Sequence, residues 1–560
     1  MAEDAPEASP RARWTAFEPL RERSFRTIWS ASLLSNLGQL ILGVGAAWEM
    51  TRLSTSPSMV ALVQTALMLP LMLVAVPAGA FADMFDRRKV ALYGLCFSAF
   101  SALVLTGLSG LGLASPWVLL SFCFLIGAGV ALYGPAWQAS VIELVRPEVL
   151  PAAVALSSVS YNIARSIGPA IGGLIVVAVG AIGTFTLSAL FFLPLLAAFH
   201  FWKRSYVPPR LPPEQMHRAV ISGWRYAIHS TPVRNAIARA SLTGFASAAV
   251  AALTPLVARD LLDGDARTYG LLLGANGVGA VIGALGTGYV RARVPAEQAA
   301  RMCALVAGLM IVVLGLSHSL LLSAACLLVA GAANLLVITL MSVGVQLSAP
   351  SWVSARVLSW FQSALTGGIA IGAWFWGYLT TQTTLELALV VAGVALMLSP
   401  VAGLVLPMPH VQQVNVDPVE IANEPEIALQ ITSRSGPIVV EVEYRVDPEQ
   451  ARPFYAVMLK IQHMRLRNGA FDWSLARDIA EPPLWTERFH CPTWADYLRQ
   501  RSRFTKADRE LQVQADSFHT PGPGPRVRRR LERPFGSVRF RADSPGPSAD
   551  HTTLMGPGSG

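Results

Sequence analysis

Between residues 27 and 406, this 560-residue chain carries about twelve successive runs of roughly twenty apolar residues, joined by short polar loops. No water-soluble core has room for so many, whereas a bilayer needs about 20 helical residues per crossing. Irregular backbone in lipid would leave its N–H and C=O groups unpaired, so each run is expected to be a helix. The runs lie near 27–50, 58–82, 89–110, 115–138, 152–178, 181–202, 234–257, 269–290, 300–317, 320–344, 355–379 and 385–406. With 53% hydrophobic and only 14% charged residues, the composition agrees with an all-α polytopic membrane protein.

The formal charge of +9 does not point to nucleic acid, because Lys and Arg sit in short loops between apolar runs and in the two tails. That distribution is topological. With the N-terminus inside, the inner loops hold Arg87, Arg88, Lys89, Arg146, Lys203, Arg204, Arg210, Arg218, Arg225, Arg291, Arg293, Arg301 and Arg356, against Arg52, Arg259 and Arg267 outside. An even number of crossings then brings the C-terminal end back to the cytoplasmic side of the cell membrane. The first run follows Arg21, Arg23 and Arg26, is too long for a signal-peptide core and precedes no small-residue cleavage site, so it is expected to remain as a spanning helix. Cys96, Cys123, Cys303 and Cys326 fall inside apolar runs and Cys491 near the end; no CxxC occurs, so neither a metal site nor a disulfide framework is expected.

The organisation expected is a cytoplasmic tail (1–26), a six-helix bundle (27–202), a cytoplasmic linker (203–233) and a second six-helix bundle (234–406). A further linker (407–436), a cytoplasmic ferredoxin-like α+β domain (437–519) and a disordered basic Pro/Gly-rich tail (520–560) complete it. IELVRPEVLPAAVALS before the fifth run echoes VQLSAPSWVSARVLSW before the eleventh, with Pro147 and Pro350 in matching places. Repeated halves are a mark of secondary transporters, whose substrate site lies between them near the midplane. In the C-terminal part, IVVEVEYRV alternates as a strand, PEQARPFYAVMLKIQHMRLR is an amphipathic helix, FDWSLARDI and LWTERFHC read as strands, and two helical segments follow.

Two loop and helix motifs carry the functional reading. GAFADMFDRRK, from Gly79 to Lys89, resembles the loop motif of the major facilitator superfamily through Gly79, Asp83, Arg87 and Arg88, with Asp86 where that family often has Gly. An Asp at this edge can accept from the unpaired N–H groups that open the eleventh span, near Arg356, and the helix dipole favours it there. Arg87 can pair with Asp83 and with Glu143 at the end of the fourth span, forming a latch that breaks during alternating access. The plainer alternative is that DRRK anchors the loop by its charge alone.

SIGPAIGGLI in the fifth span is similar to the GPxxGG signature of the antiporter branch, carried by Gly168, Pro169, Gly172 and Gly173. The resemblance implies export, while the same residues also suit ordinary close helix packing. Cys123 stands four residues before Gly127, where proton-driven relatives often carry Arg, so proton coupling is not carried over through that position. Together with Asn36-x-Gly38 in the first span and the soluble C-terminal part, this pattern resembles the enterobactin-exporter branch over roughly residues 20–520.

The resemblance implies the major facilitator fold of 12 transmembrane helices in two six-helix bundles, a small-molecule substrate such as a siderophore, drug or other amphipathic metabolite, no cofactor and an ion-gradient drive. Polar residues inside spans are candidates for the substrate or ion site because lipid makes them costly. Asn36, Gln39 and Gly43 share a face of the first span, and Asn162, Arg165, Pro169 and Gly172 a face of the fifth. Arg165 could hold an anionic or catechol-bearing substrate or pair with a carboxylate such as Glu49, or it is a helix-packing cation near the inner leaflet. Glu49 is a proton-carrier candidate in the first half, or a wet interfacial residue. Gln64, Gln138, Asn276, Asn334 and Gln362 would line a central cavity or join helices by hydrogen bonds.

The C-terminal domain resembles the dimeric α+β barrel of small cofactor-free monooxygenases, which implies self-association through that domain. Its Trp473, His463, Trp485, His490 and Trp494 show no nucleophile–base pair or metal spacing, so they are expected to build a core or dimer face rather than a catalytic centre. An importer, a sensor, and a transporter fused to an oxygenase-like domain stand as alternatives.

Overall fold

The computed structural model describes residues 17–146, 149–202, 216–408, 427–429, 431–520 and 524–532; several side chains within its helices, those from 79 to 84 and that of Asn162 among them, lie outside the description. The order of elements begins α1 (Arg23–Leu53), α2 (Pro57–Met84), α3 (Arg87–Gly110), α4 (Pro116–Leu144) and α5 (Leu150–Phe201). A short helix α6 (Met216–His229) precedes α7 (Thr231–Leu256), α8 (Ala266–Arg293), α9 (Ala296–Gly315), α10 (Leu320–Ser348), α11 (Ser351–Gln382) and α12 (Leu385–Val405). Ten helical segments among the described residues are long and apolar enough to cross a bilayer. The fifth and sixth apolar runs join in α5, where Gly180 takes φ +71° and bends the helix into two limbs. With α5 read as two limbs and α11 included, the chain has the twelve helices of the major facilitator fold.

Loop residues set where the helices begin. Ser115 accepts from Val118 N at α4, Asp265 from Arg267 N and Thr268 N at α8, and Thr384 from Leu387 N at α12, each satisfying N–H groups that an isolated helix end leaves unpaired. The structure divides into two compact units: 1–216 with 236–342 and 359–408, and 217–235 with 343–358 and 409–560.

Within the first unit, packing changes along the helix axes. At the end reached by the last turns of α1 and the first of α2 and α8, one apolar cluster joins both bundles, uniting Val44, Val60 and Val176 with Leu253, Leu272 and Leu389. At the opposite end the apolar packing among the described residues is separate: Phe25, Val90, Trp137 and Phe199 gather in the first bundle, and Ala299, Leu336 and Leu340 in the second.

The second unit holds a four-stranded antiparallel sheet built from β1 (Ile438–Arg445), β2 (Phe471–Arg477), β3 (Leu484–Cys491) and β4 (Arg526–Leu531), ordered β2-β3-β1-β4. Helices α13 (Ala451–Asn468), α14 (Trp494–Ser502) and α15 (Lys506–Asp516) intervene, and this is the ferredoxin-like order. Val440, Val442 and Tyr444 pack with Phe454, Met458 and Ile461 of α13. Among these apolar groups lies a buried ion pair, Arg465 Nε to Glu487 Oε1 at 2.9 Å, with Trp473 Nε1 donating to the same carboxylate oxygen at 3.0 Å. Strand β4 corrects the expectation of disorder from residue 520 onward. RVRRRL lacks apolar alternation, yet it pairs along β1, where Arg528 meets Glu443 and Arg530 meets Glu441. The backbone ladder holds the strand, and opposite charges across it favour a pairing that hydropathy does not show.

Helix α6 lies in the stretch read as a linker and belongs to the second unit. Tyr226 Oη donates to Ser348 O at the end of α10 (3.2 Å), and Arg356 Nη1 donates to Ser222 Oγ (2.7 Å). The Arg467 guanidinium of α13 stands 5.6 Å from the Tyr226 ring centre, so the Ser222–Tyr226 face of α6 meets both membrane-helix ends and the C-terminal domain.

Candidate functional site

The loop between α2 and α3 is short because Asp86 caps α3, its Oδ1 accepting from Arg88 N at 2.9 Å. That turn places two successive arginines on different partners. Arg87 Nη1 donates to Glu143 Oε1 at 2.8 Å, with both side chains about a fifth exposed (22% and 20%), and so ties α3 to the end of α4. Arg88 donates to Phe199 O at 2.9 Å and also to His200 O, holding the last turn of α5 through carbonyls its helix leaves unpaired. The side chains at Gly79 and Asp83 lie outside the described residues.

Helix α5 is the element around which the polar candidates are arranged. A methyl group at Gly168 would meet Leu40 Cβ at 3.1 Å, and one at Gly172 would meet Val44 Cβ at 3.1 Å, so this face lies against α1. Gly173 and Ala170 face α8: a Cβ on Gly270 would stand 2.8 Å from Gly173 Cα, and one on Gly274 3.1 Å from Ala170 Cβ. Only glycine at 173 and 270 lets the two backbones approach so closely. Ile167 and Leu174, 46% and 66% exposed, mark the side turned outward. At about 100° per residue, Arg165 falls opposite those two and between the faces against α1 and α8. It is half-buried, and among the described residues no carboxylate stands within ion-pair distance of it.

The remaining candidates separate into two levels. Leu37 and Leu40 flank Gly168, so Arg165 is level with the middle of α1, near the half-buried Asn36 and Gln39; Gly43, on the same face of α1, looks toward Leu67 of α2. Asn162 lies outside the described side chains. Glu49 stands roughly three turns further along α1 than Arg165, and its partner is Arg52 at 3.3 Å. A Glu49–Arg165 pair is therefore not formed. Asn334 lines a small cavity inside the second bundle with Arg239 and Thr243, not a space between bundles.

The sequence reading missed one ionic cluster. Arg239 Nη1 of α7 donates to Glu297 Oε2 at 2.5 Å and to Leu406 O at 3.3 Å; Arg301 Nε donates to Glu297 Oε1 at 2.9 Å, and Met408 N to Glu297 Oε2 at 3.1 Å. The signal was available, because Arg239 is a cation inside an apolar run. The cluster mirrors Arg88 on the end of α5: in both bundles an arginine caps the carbonyl end of the last helix, with different residues doing so.

At the joined end, the bundles meet through polar as well as apolar contacts. Thr65 Oγ1 donates to Ala370 O at 2.9 Å, Ser363 Oγ to Met72 O at 2.6 Å and Arg259 Nη1 to Thr51 O at 3.3 Å, while Trp48 stacks on Tyr269 at 5.9 Å. Among the described residues, then, apolar and polar contacts join the two bundles at this end, and Arg165 has no ion-pair partner.

The sequence profile of the transmembrane secretion effector family, within the major facilitator superfamily, matches residues 14–535. This chain belongs to that family. Enterobactin exporter EntS from Escherichia coli O1:K1 is 27% identical over 369 residues, covering 64% of this chain and 86% of that protein; the Shigella boydii serotype 18 exporter matches to the same extent. Among solved structures, a bacterial homolog of the human lysosomal transporter Spinster, in an inward-facing and unoccupied conformation, shares the fold at TM-score 0.53 and 14% identity, over 70% of this chain and 96% of that one. The human organic anion transporter MFSD10 does so at TM-score 0.51 and 16% identity, over 68% and 99%. Membership identifies a membrane transporter of small molecules rather than an enzyme.

Proposed function

We propose that the chain is a secondary active exporter that moves a small amphipathic molecule, of siderophore, drug or metabolite type, out across the cytoplasmic membrane by alternating access. The observation that carries this reading is Arg165, half-buried on the inward side of α5 at the level of Asn36 and Gln39, with no ion-pair partner among the described residues. A cation held there in a low dielectric is costly unless an anionic or strongly accepting group comes to it, which is the task of a cargo site. The similarity to enterobactin exporters and the Gly168-Pro169-x-x-Gly172-Gly173 motif support outward transport. Loop arginines such as Arg87, Arg88, Arg291 and Arg293 support cytoplasmic termini.

In this reading the bundles part toward the cytoplasm and close toward the outside. Asp83, Arg87, Arg88 and Glu143 form a latch whose pairings differ between the two states, and an ion gradient biases their populations. Glu49, paired with Arg52, is a carboxylate placed to exchange protons with the outer surface.

The test is uptake into inside-out vesicles of matched anionic and neutral aromatic compounds under an imposed ion gradient. Arg165→Ala is expected to reduce transport of the anionic member about tenfold, equivalent to about 1.4 kcal/mol, more than that of its neutral analogue. Equal losses on both would remove the charge-recognition role, and accumulation only in right-side-out vesicles would reverse the direction.

A further inference from the structure

The ion cluster of the second bundle has positive charge and hydrogen-bond donors left over. Two guanidinium groups, those of Arg239 and Arg301, share the single carboxylate of Glu297, and Met408 N takes a further position on its Oε2. Both bonds that Arg239 makes, to Glu297 Oε2 and to Leu406 O, leave from Nη1. The N–H groups on its Nε and Nη2 have no acceptor among the described residues, although the side chain is only 7% exposed.

Those donors open onto a cavity of about 20 Å³ walled by α7, α9, α10 and α12. Arg239 lines it, and neither nitrogen is among the polar atoms that the protein seals off without a partner. Thr243, one turn along α7, Asn334 of α10 and Ser399 of α12 line the same space, and among the described residues none of their side chains makes a hydrogen bond. The rest of the lining is apolar apart from Cys303, and no carboxylate is part of it. All four polar residues lie in helices long and apolar enough to cross a bilayer. At that depth an unmet donor is costly, because no bulk water stands in for the missing partner. Donors converging on one small space beside a surplus of positive charge describe a receptor for an anion. Since about 10–15 Å³ of such space holds a single water, the occupant is one ion of roughly water's size rather than an organic acid.

We propose that this cavity is a chloride site, the ion accepting from Arg239 Nε and Nη2, from the Thr243 and Ser399 hydroxyls and from the Asn334 amide. Occupancy offsets the excess charge of the Arg239–Glu297–Arg301 cluster and brings α10 into a junction built from α7, α9 and the end of α12. The site lies within the second bundle, whereas Arg165 is on α5 of the first, so it stands or falls separately from the exporter reading.

The experiment is equilibrium binding of radiolabelled chloride to the full-length protein in detergent, prepared in sodium gluconate, together with its thermal transition in chloride and in gluconate at equal ionic strength. Saturable chloride binding is expected, with a transition that rises as chloride replaces gluconate. Thr243→Val keeps the shape and removes the hydroxyl. It is expected to weaken chloride at least about tenfold, while its transition in gluconate holds at the wild-type value or above. Ala304→Val, on the α9 wall, fills the space and is expected to abolish binding, whereas Arg165→Ala is expected to retain it. No saturable chloride binding by the wild-type chain would show that the cavity takes water alone, and the proposal would fall. Unchanged affinity in Thr243→Val, binding retained by Ala304→Val, or loss of binding in Arg165→Ala would place the ion elsewhere and overturn it equally.

Discussion

Arg239 and Glu297 meet at 2.5 Å where α7 and α9 converge, with side chains only 7% and 18% exposed, and the same carboxylate accepts from Met408 N just beyond α12. One carboxylate thus joins three helices of the second bundle.

Removing that carboxylate leaves a buried guanidinium unmatched. Glu297→Ala is expected to lower stability by about 3–5 kcal/mol, whereas the double change Arg239→Met with Glu297→Met loses much less, because the only charge left without its partner is that of Arg301, which is 38% exposed to solvent. Thermal unfolding of the two purified variants in detergent checks both; equal losses would show that the pair acts by packing alone.

The α2–α3 loop invites a functional rather than a stability test. Asp83→Asn and Glu143→Gln are each expected to cut transport at least about tenfold with insertion and expression intact. Full export in both variants would remove the latch and leave Arg87 as a loop anchor.

The close approach of α5 and α8 gives a third. At Gly173 a methyl group would collide with the Gly270 backbone, so Gly173→Val is expected to push the helices apart. Overpacking of this kind costs about 1–3 kcal/mol. Faster hydrogen exchange confined to the first turns of α8 would locate the effect, and unchanged exchange there would contradict it.

Much of the membrane fold was legible because each crossing needs its own apolar run, and hydropathy counts such runs directly. What hydropathy cannot read is geometry. The runs at 152–178 and 181–202 are two helices, as read, but they follow one another without a loop because Gly180 accepts a positive φ, which composition does not announce. MHRAVISGWRYAIH forms α6 with Ser222 and Tyr226 buried, although it lies in a stretch too polar to cross a membrane. Strand β4 was hidden because its affinity for β1 lies in arginines whose acidic partners are more than 80 residues earlier. The site was legible only in part: the polar residues of α1 and α5 stood out one by one, but that Arg165 shares a level with Asn36 and not with Glu49 depends on how glycines seat one helix on another.

The C-terminal domain offers a test by pH. Burial raises the Asp516 carboxyl above its ordinary 3.8, so its neutral form is favoured in the folded state. The stability this contributes is present below the unfolded value and is lost as pH rises through the folded one. Asp516→Asn is therefore expected to match the wild type in acid and to exceed it at neutral pH, by under about 1 kcal/mol after solvent screening. Urea unfolding followed at pH 4 and pH 7 would show it, and an advantage confined to the acid side would refute it.

The stacking of Arg467 on Tyr226 joins segments roughly 240 residues apart in the chain. At about 5–20 residues per second of synthesis, α6 emerges more than ten seconds before its partner exists. Ser348 reaches the Tyr226 hydroxyl once α10 is made, but the ring waits for Arg467 through the making of all six later spans, so the ribosome finishes the membrane bundles before the domain that caps this helix can close over it.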